Sequence, residues 1–161
     1  MNSKINVSEN ITNFNTTIIG PSQSGKTKLG KQLQTLGYYY LDVNSLEKID
    51  INISLIKEIF KFDSYFVETN KQNLILANII NLINKGTKQI IFDDVLTFID
   101  INVRKKVINC LKEKNIKFIN ITMDIEDVLL GEYLIVMYNN KVALEGKVLD
   151  VLKEERILKR L

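Results

Sequence analysis

The chain has no histidine and a single cysteine, Cys110, among its 161 residues. Lack of histidine removes the commonest general base and metal-binding nitrogen, which excludes Ser-His-Asp hydrolysis and zinc hydrolase chemistry. One cysteine excludes an internal disulfide and a thiolate metal cluster. Its apolar helical neighbours predict a small core residue and not a reactive thiol. With one proline, Pro21, and no Ser/Gly-rich run, the chain offers no candidate linker, and it has no internal repeat or low-complexity segment. No window approaches the roughly 18 uninterrupted apolar residues of a membrane span. Met1 to Asn10 lack the basic start and apolar run of a secretory signal, so a cytoplasmic location is expected. The net charge of +3 is spread along the chain without a basic block, so nucleic acid is not expected as a partner.

What is present suits one compact unit. Hydrophobic residues at 45% and charged residues at 25% match an ordinary globular protein, and the length predicts a single domain over 1–161. Hydrophobic periodicity predicts strands over Asn15 to Ile19, Tyr38 to Val43, Gln89 to Asp94 and Ile116 to Thr122. A helix from Gly25 should carry Leu29, Leu33 and Leu36 on one face, with Gly37 as its C-terminal cap. Further helices are expected over Ser54 to Phe60, over Asn70 to Asn84 with Leu74, Ala77, Ile80 and Ile83 in register, after an Asp100 N-cap, and around Glu126 to Leu130. "YLIVMYNNKVALEG" reads as a hairpin whose tight turn is Asn139-Asn140, and Lys147 to Leu161 as an amphipathic helix. Strands alternating with helices predict the α/β class, with a mostly parallel sheet flanked by helices and closed by a C-terminal β-hairpin.

The stretch Gly20-Pro21-Ser22-Gln23-Ser24-Gly25-Lys26-Thr27 fits the P-loop pattern G-x-x-x-x-G-K-[ST], between a predicted strand and a predicted helix. Such a loop turns backbone N–H groups toward phosphates at a helix N-terminus. Lys26 supplies an ammonium for the terminal phosphates, Thr27 a hydroxyl for Mg²⁺, and Lys28 extends the cofactor-binding run. Asp93 closes a buried-type strand, where an acid can hold the water shell of Mg²⁺. Asp94 beside it is either a base or water-positioning group for the terminal phosphate, or a plain loop acid. ATP and Mg²⁺ are therefore the expected cofactors, with Lys26 and Asp94 as candidate catalytic residues.

"IIFDDVLTFID" followed by "KFINITMDIEDVLLGEYLIVMYNNKVALEGKVLDVL" resembles the C-terminal half of ABC-type ATPases, the nucleotide-binding subunits of ABC transporters. The resemblance covers the P-loop and most of Gln89 to Leu152. It implies a P-loop NTPase core, a dimer-facing loop ending at Asp100, and a switch strand followed by the hairpin. It also implies a full-length ABC ATPase subunit and membrane transporter subunits as partners, at the inner face of the cell membrane. Several positions depart from the family pattern. The catalytic Glu is replaced by Asp94, the switch histidine by Met123, which donates no hydrogen bond, and the usual Gly of the loop by Gln23. The family signature falls at Val67-Glu68-Thr69-Asn70-Lys71, which does not match it. Only about 40 residues separate Lys26 from that point. Most of the helical subdomain is therefore expected to be missing, and the adenine-stacking aromatic has no room before Ile5. The resemblance thus implies Mg-ATP binding with weak or partner-dependent hydrolysis, or a non-catalytic nucleotide-binding regulatory module.

A second resemblance is to shikimate-type kinases, carried by "GKTKLGKQLQTLGYYYLDVNSL". It implies that Asp42 contacts a small acceptor. Those kinases rely on lid and pocket arginines, and this chain has only Arg104, Arg156 and Arg160.

Overall fold

A computed structural model describes residues 4–62 and 69–153. Met1–Ser3, the Val67-Glu68 part of the signature position and the tail beyond Lys153, with Arg156 and Arg160, lie outside the described residues.

Six strands form one sheet: β1 (Thr16–Ile19), β2 (Tyr39–Leu41), β3 (Gln89–Asp93), β4 (Lys117–Thr122), β5 (Tyr133–Tyr138) and β6 (Lys141–Lys147). Their spatial order is β2-β3-β4-β1-β5-β6, parallel throughout except for the antiparallel β5–β6 hairpin. The central strands are buried on both faces, so their burial does not alternate, and the polar Thr16, Thr17, Asn120 and Thr122 are buried along with the apolar residues. Asn139 and Asn140 take φ of 52° and 62°, the left-handed pair that a two-residue hairpin turn requires.

Helices cover the sheet from both sides. On one face lies α1 (Lys26–Gln34), whose Leu29 and Leu33 pack with Tyr38, Tyr40, Ile91, Ile121 and Ile135. The segment before β1 closes over α1: Ile5 N donates to Gln32 Oε1 (2.9 Å) and Gln32 Nε2 donates back to Ile5 O (2.8 Å). On the other face, α2 (Ile53–Phe60), α3 (Asn70–Asn84) and α4 (Ile101–Glu113) pack on β2, β3 and β4 around Phe60, Phe92 and Phe118. A short helix α5 (Val148–Leu152) and the 3₁₀ turn Ile125–Leu130 cover the β1–β5 half through Ile19, Leu134, Val128 and Val151.

Three expectations are corrected. Leu36 lies past the end of α1 and is 51% exposed, so it is no part of the buried face. The strand around Tyr40 is three residues long because Asp42 turns the chain, accepting from Ser45 N at 2.9 Å to cap a 3₁₀ turn. Helix α3 has the predicted bounds but not a single apolar stripe: it is flanked by α2 and the sheet, and Gln72, Asn73 and Asn78 are buried with Ile75, Leu76 and Ile79. Leu74 and Ile83, two residues of the predicted stripe, are only half-buried.

Candidate functional site

The P-loop runs from the C-terminal end of β1 into α1. Its two glycines are there for space and backbone geometry. A Cβ on Gly20 would lie 2.5 Å from Met137 O and 2.6 Å from Ser24 Oγ. Gly25 holds φ 99°, with Asn140 Cα 3.0 Å from where its Cβ would be. The β5–β6 turn thus buttresses the loop, and Asn140 N donates to Ser24 O at 2.9 Å. Gln23 also takes a left-handed φ, 62°, the conformation for which glycine is the unstrained residue.

Gly25 has no side chain to cap the helix, and the first intrahelical bond from the loop runs from Leu29 N to Gly25 O. The preceding amides, through Lys28, therefore face the loop as donors without intrahelical partners, the arrangement that binds phosphate. Ser24 Oγ is buried beneath them without a hydrogen-bond partner. Lys26 Nζ folds over the loop and donates to Gly20 O and Pro21 O, both at 2.7 Å. Partial burial pulls its ammonium pKa below 10.5, against the opposing pull of the Asp94 and Asp93 carboxylates. Pro21, Ser22 and Lys28 stand exposed around this cradle.

Thr27 Oγ1 donates to Asp93 Oδ2 at 3.1 Å, joining the first turn of α1 to the end of β3. Both are hard oxygen donors, the type that Mg²⁺ takes together with water and phosphate oxygens. Asp94 follows in a left-handed conformation (φ 55°), its N–H bonded to Ile121 O and its carbonyl accepting from Thr97 Oγ1 at 3.1 Å. Loss of surrounding solvent, with the Asp93 carboxylate adding to it, pushes the Asp94 carboxyl above 3.8. Met123 sits at the mouth of the site, 61% exposed, in an apolar groove of about 580 Å³ bordered by Pro21, Ile125, Tyr138 and Leu144.

Three features of this region escaped the sequence reading. Tyr40 O–H donates to Asp93 Oδ2, and no local pattern announces that β2 lies beside β3. Gly30, an isolated glycine in a helical pattern, is a signal of close packing that was available. A Cβ there would meet Ile121 Cδ1 at 2.5 Å and Tyr40 Cε2 at 3.3 Å. The third is a buried polar cluster: Arg104 donates to Ile99 O, Asp124 Oδ2 and Asp127 Oδ1, and Asn120 Nδ2 donates to Asp127 Oδ2. It ties the loop before α4 to the turn that follows β4. Asp100, the N-cap of α4, accepts from Asn102 N. Cys110 is buried and its thiol pKa is raised by that burial, as suits a core residue. Asp42, the acid that the kinase resemblance singles out, accepts from Ser45 N through Oδ1 as the cap of its 3₁₀ turn.

The chain matches no protein-family model. It is similar to the energy-coupling factor transporter ATP-binding protein EcfA1 of Mycoplasmopsis synoviae (strain 53), 27% identical over 110 residues, 66% of this chain and 40% of that protein. The protein of the same name from Clostridioides difficile (strain 630) is 33% identical over 95 residues, 56% of this chain and 33% of that protein. The chain thus spans less than half the length of the curated relatives it matches. Among solved structures, the ADP conformation of MJ1267, an ATP-binding cassette of an ABC transporter, superposes with a TM-score of 0.62 at 17% identity, covering 89% of this chain and 85% of that one. A bacterial Atm1-family ABC exporter with ATP bound gives 0.64 at 13% identity, covering 88% and 35%. The resemblance to ABC-type ATPases is borne out, and the fold is that of an ABC cassette.

Proposed function

We propose that this chain is an ATP-binding subunit of ABC type that holds Mg-ATP at Gly20–Thr27 and Asp93, and that hydrolyses it weakly or only with a partner. The observation that carries the proposal is the joint geometry of the loop and the two strands behind it. Unpaired helix-start amides, the Lys26 ammonium and the Thr27–Asp93 pair converge where β1 and β3 end, although β4 separates those strands. Open α/β sheets bind ligands at such carboxyl ends. Bound Mg²⁺ supplies charge neutralisation on the terminal phosphates. Thr27 and Asp93 would hold it, Lys26 would leave its two carbonyls for the phosphate oxygens, and Asp94 would orient water.

Weak turnover follows from two altered groups. Asp94 is one methylene shorter than the glutamate of the resembling family, and exposed Met123 donates no hydrogen bond. Loss of one positioned donor lowers rates by about 10² to 10³. A full-length ABC ATPase subunit would complete the site from across a dimer interface, beside membrane transporter subunits at the inner face of the cell membrane. No described helix is long and apolar enough to cross a membrane itself.

The test is nucleotide binding and turnover by the wild type and by Lys26→Ala. Wild type should bind a non-hydrolysable ATP analogue, Lys26→Ala should lose at least about tenfold in affinity, and turnover alone should be slow. Unchanged affinity in Lys26→Ala would sink the proposal. A second reading, a nucleotide-holding regulatory module, is favoured by the apolar replacement at Met123. It predicts no turnover with or without the partner subunit.

A further inference from the structure

Tyr40 is placed against the metal side of this site by sheet register. It pairs with Ile91 in the parallel β2–β3 ladder, so the two side chains share the α1 face, and Asp93, two residues beyond Ile91, shares it as well. The Tyr40 ring runs under α1 toward Asp93, and its phenol is what fixes it there. Gly30 has no Cβ to block the ring, Lys31 Nζ lies 4.2 Å above its centroid, and the phenol O–H donates to Asp93 Oδ2. That oxygen is the one that also accepts from Thr27 Oγ1. Both hydrogen bonds described for Asp93 therefore fall on Oδ2, and the carboxylate is turned so that Oδ1 faces away from its two protein donors.

We propose, resting on the Mg-ATP function above, that Tyr40 is a positioning residue for Mg²⁺: its phenol fixes the Asp93 carboxylate so that Oδ1 accepts from the water shell of the ion while Thr27 Oγ1 ligates it. The chemistry requires this kind of help. Mg²⁺ demands near-ideal octahedral geometry and keeps several waters, so a carboxylate acting through those waters serves only in one orientation. A carboxylate ligand is commonly oriented by hydrogen bonds from groups behind it, and loss of such a group lowers metal affinity by roughly 10- to 100-fold. Tyr40 is 8% exposed, and its hydroxyl is engaged by the Asp93 carboxylate. Phenol suits the role because it is a hydrogen-bond donor on a rigid ring packed beneath Gly30.

The experiment measures affinity for a fluorescent ATP analogue with Mg²⁺ and with EDTA, for wild type, Tyr40→Phe and Lys31→Ala. Tyr40→Phe keeps the ring under Gly30 and Lys31, so the fold should be retained, and its affinity in EDTA is an internal check of that. Wild type should gain affinity from Mg²⁺. Tyr40→Phe should reduce that gain about tenfold, the lower end of the range for losing an orienting group, with affinity in EDTA within about twofold of wild type. Lys31→Ala, which removes the ammonium above the ring but not the phenol, should leave the gain unchanged. The role of Tyr40 is overturned if Tyr40→Phe keeps the full Mg²⁺ gain, if it loses affinity equally in EDTA, or if Lys31→Ala loses as much of the gain. Wild type that binds no nucleotide under either condition would overturn the proposed function along with it. Normal binding with an unchanged gain in Tyr40→Phe would overturn the role of Tyr40 alone.

Discussion

Thr27 Oγ1 and Asp93 Oδ2 stand 3.1 Å apart although 66 residues of chain separate them. The hydroxyl donates its proton to the carboxylate and so keeps a lone pair free, the state in which a P-loop threonine can ligate a cation. Thr27→Val, similar in shape but without the hydroxyl, should therefore abolish most of the Mg²⁺ contribution to nucleotide affinity, about 10-fold or more. Thr27→Ser should retain it. Titration with and without Mg²⁺ separates this effect from phosphate binding by the loop amides, which neither substitution touches.

Gln23 holds φ 62° in the middle of the loop. A left-handed conformation strains a residue with a Cβ by about 1–2 kcal/mol, while glycine loses more backbone freedom on folding, by about 0.5–1 kcal/mol. The strain is the larger quantity, so Gln23→Gly should stabilise the protein by about 0.5–1 kcal/mol. Urea denaturation checks this, with a higher midpoint and an unchanged slope as the expected result.

Gly30 sets helix propensity against packing. Alanine is the better helix former by about 1 kcal/mol. Here its methyl would meet Ile121 Cδ1 at 2.5 Å, and Ile121 is only 1% exposed within the core beneath α1. Overpacking of that kind costs about 1–3 kcal/mol. Gly30→Ala should therefore lower the urea midpoint, with a net loss of up to about 2 kcal/mol, and stabilisation would show that α1 can lift away from the sheet.

The Arg104 cluster predicts an acid-sensitive contribution. The hydrogen bond from Arg104 holds the Asp124 carboxyl below its ordinary 3.8, so the folded state favours the carboxylate. That stability is present above pH 3.8 and is lost as pH falls through the lower folded value. The urea midpoints of wild type and Asp124→Asn should differ near neutral pH and converge on acidification. Arg104→Leu should be more damaging, about 3–5 kcal/mol, because it leaves Asp127, fully buried, without its cation. Chemical denaturation near neutral pH measures that loss.

Much of this molecule can be read from local pattern. The P-loop spacing, the Asp100 cap, the Asn139-Asn140 turn and the bounds of α3 depend on contacts within a few residues, so short windows of sequence encode them. The burial of α3 on several sides was not legible in the same way. Its surroundings come from α2 and the sheet, and a polar residue such as Asn78 is buried because it bonds Glu47 N and O across 31 residues.

The sequence by itself determined the α/β class, the place of the P-loop pattern, and the residue types at Asp94, Met123 and Gln23, because residue type and spacing are properties of the chain alone. Tertiary structure decided the strand order, with β4 between β1 and β3, and hence that Thr27, Tyr40 and Asp93 meet. Parallel strands joined by helical crossovers leave their neighbours open until the whole core is packed. Only that packing makes Tyr40 a partner of Asp93.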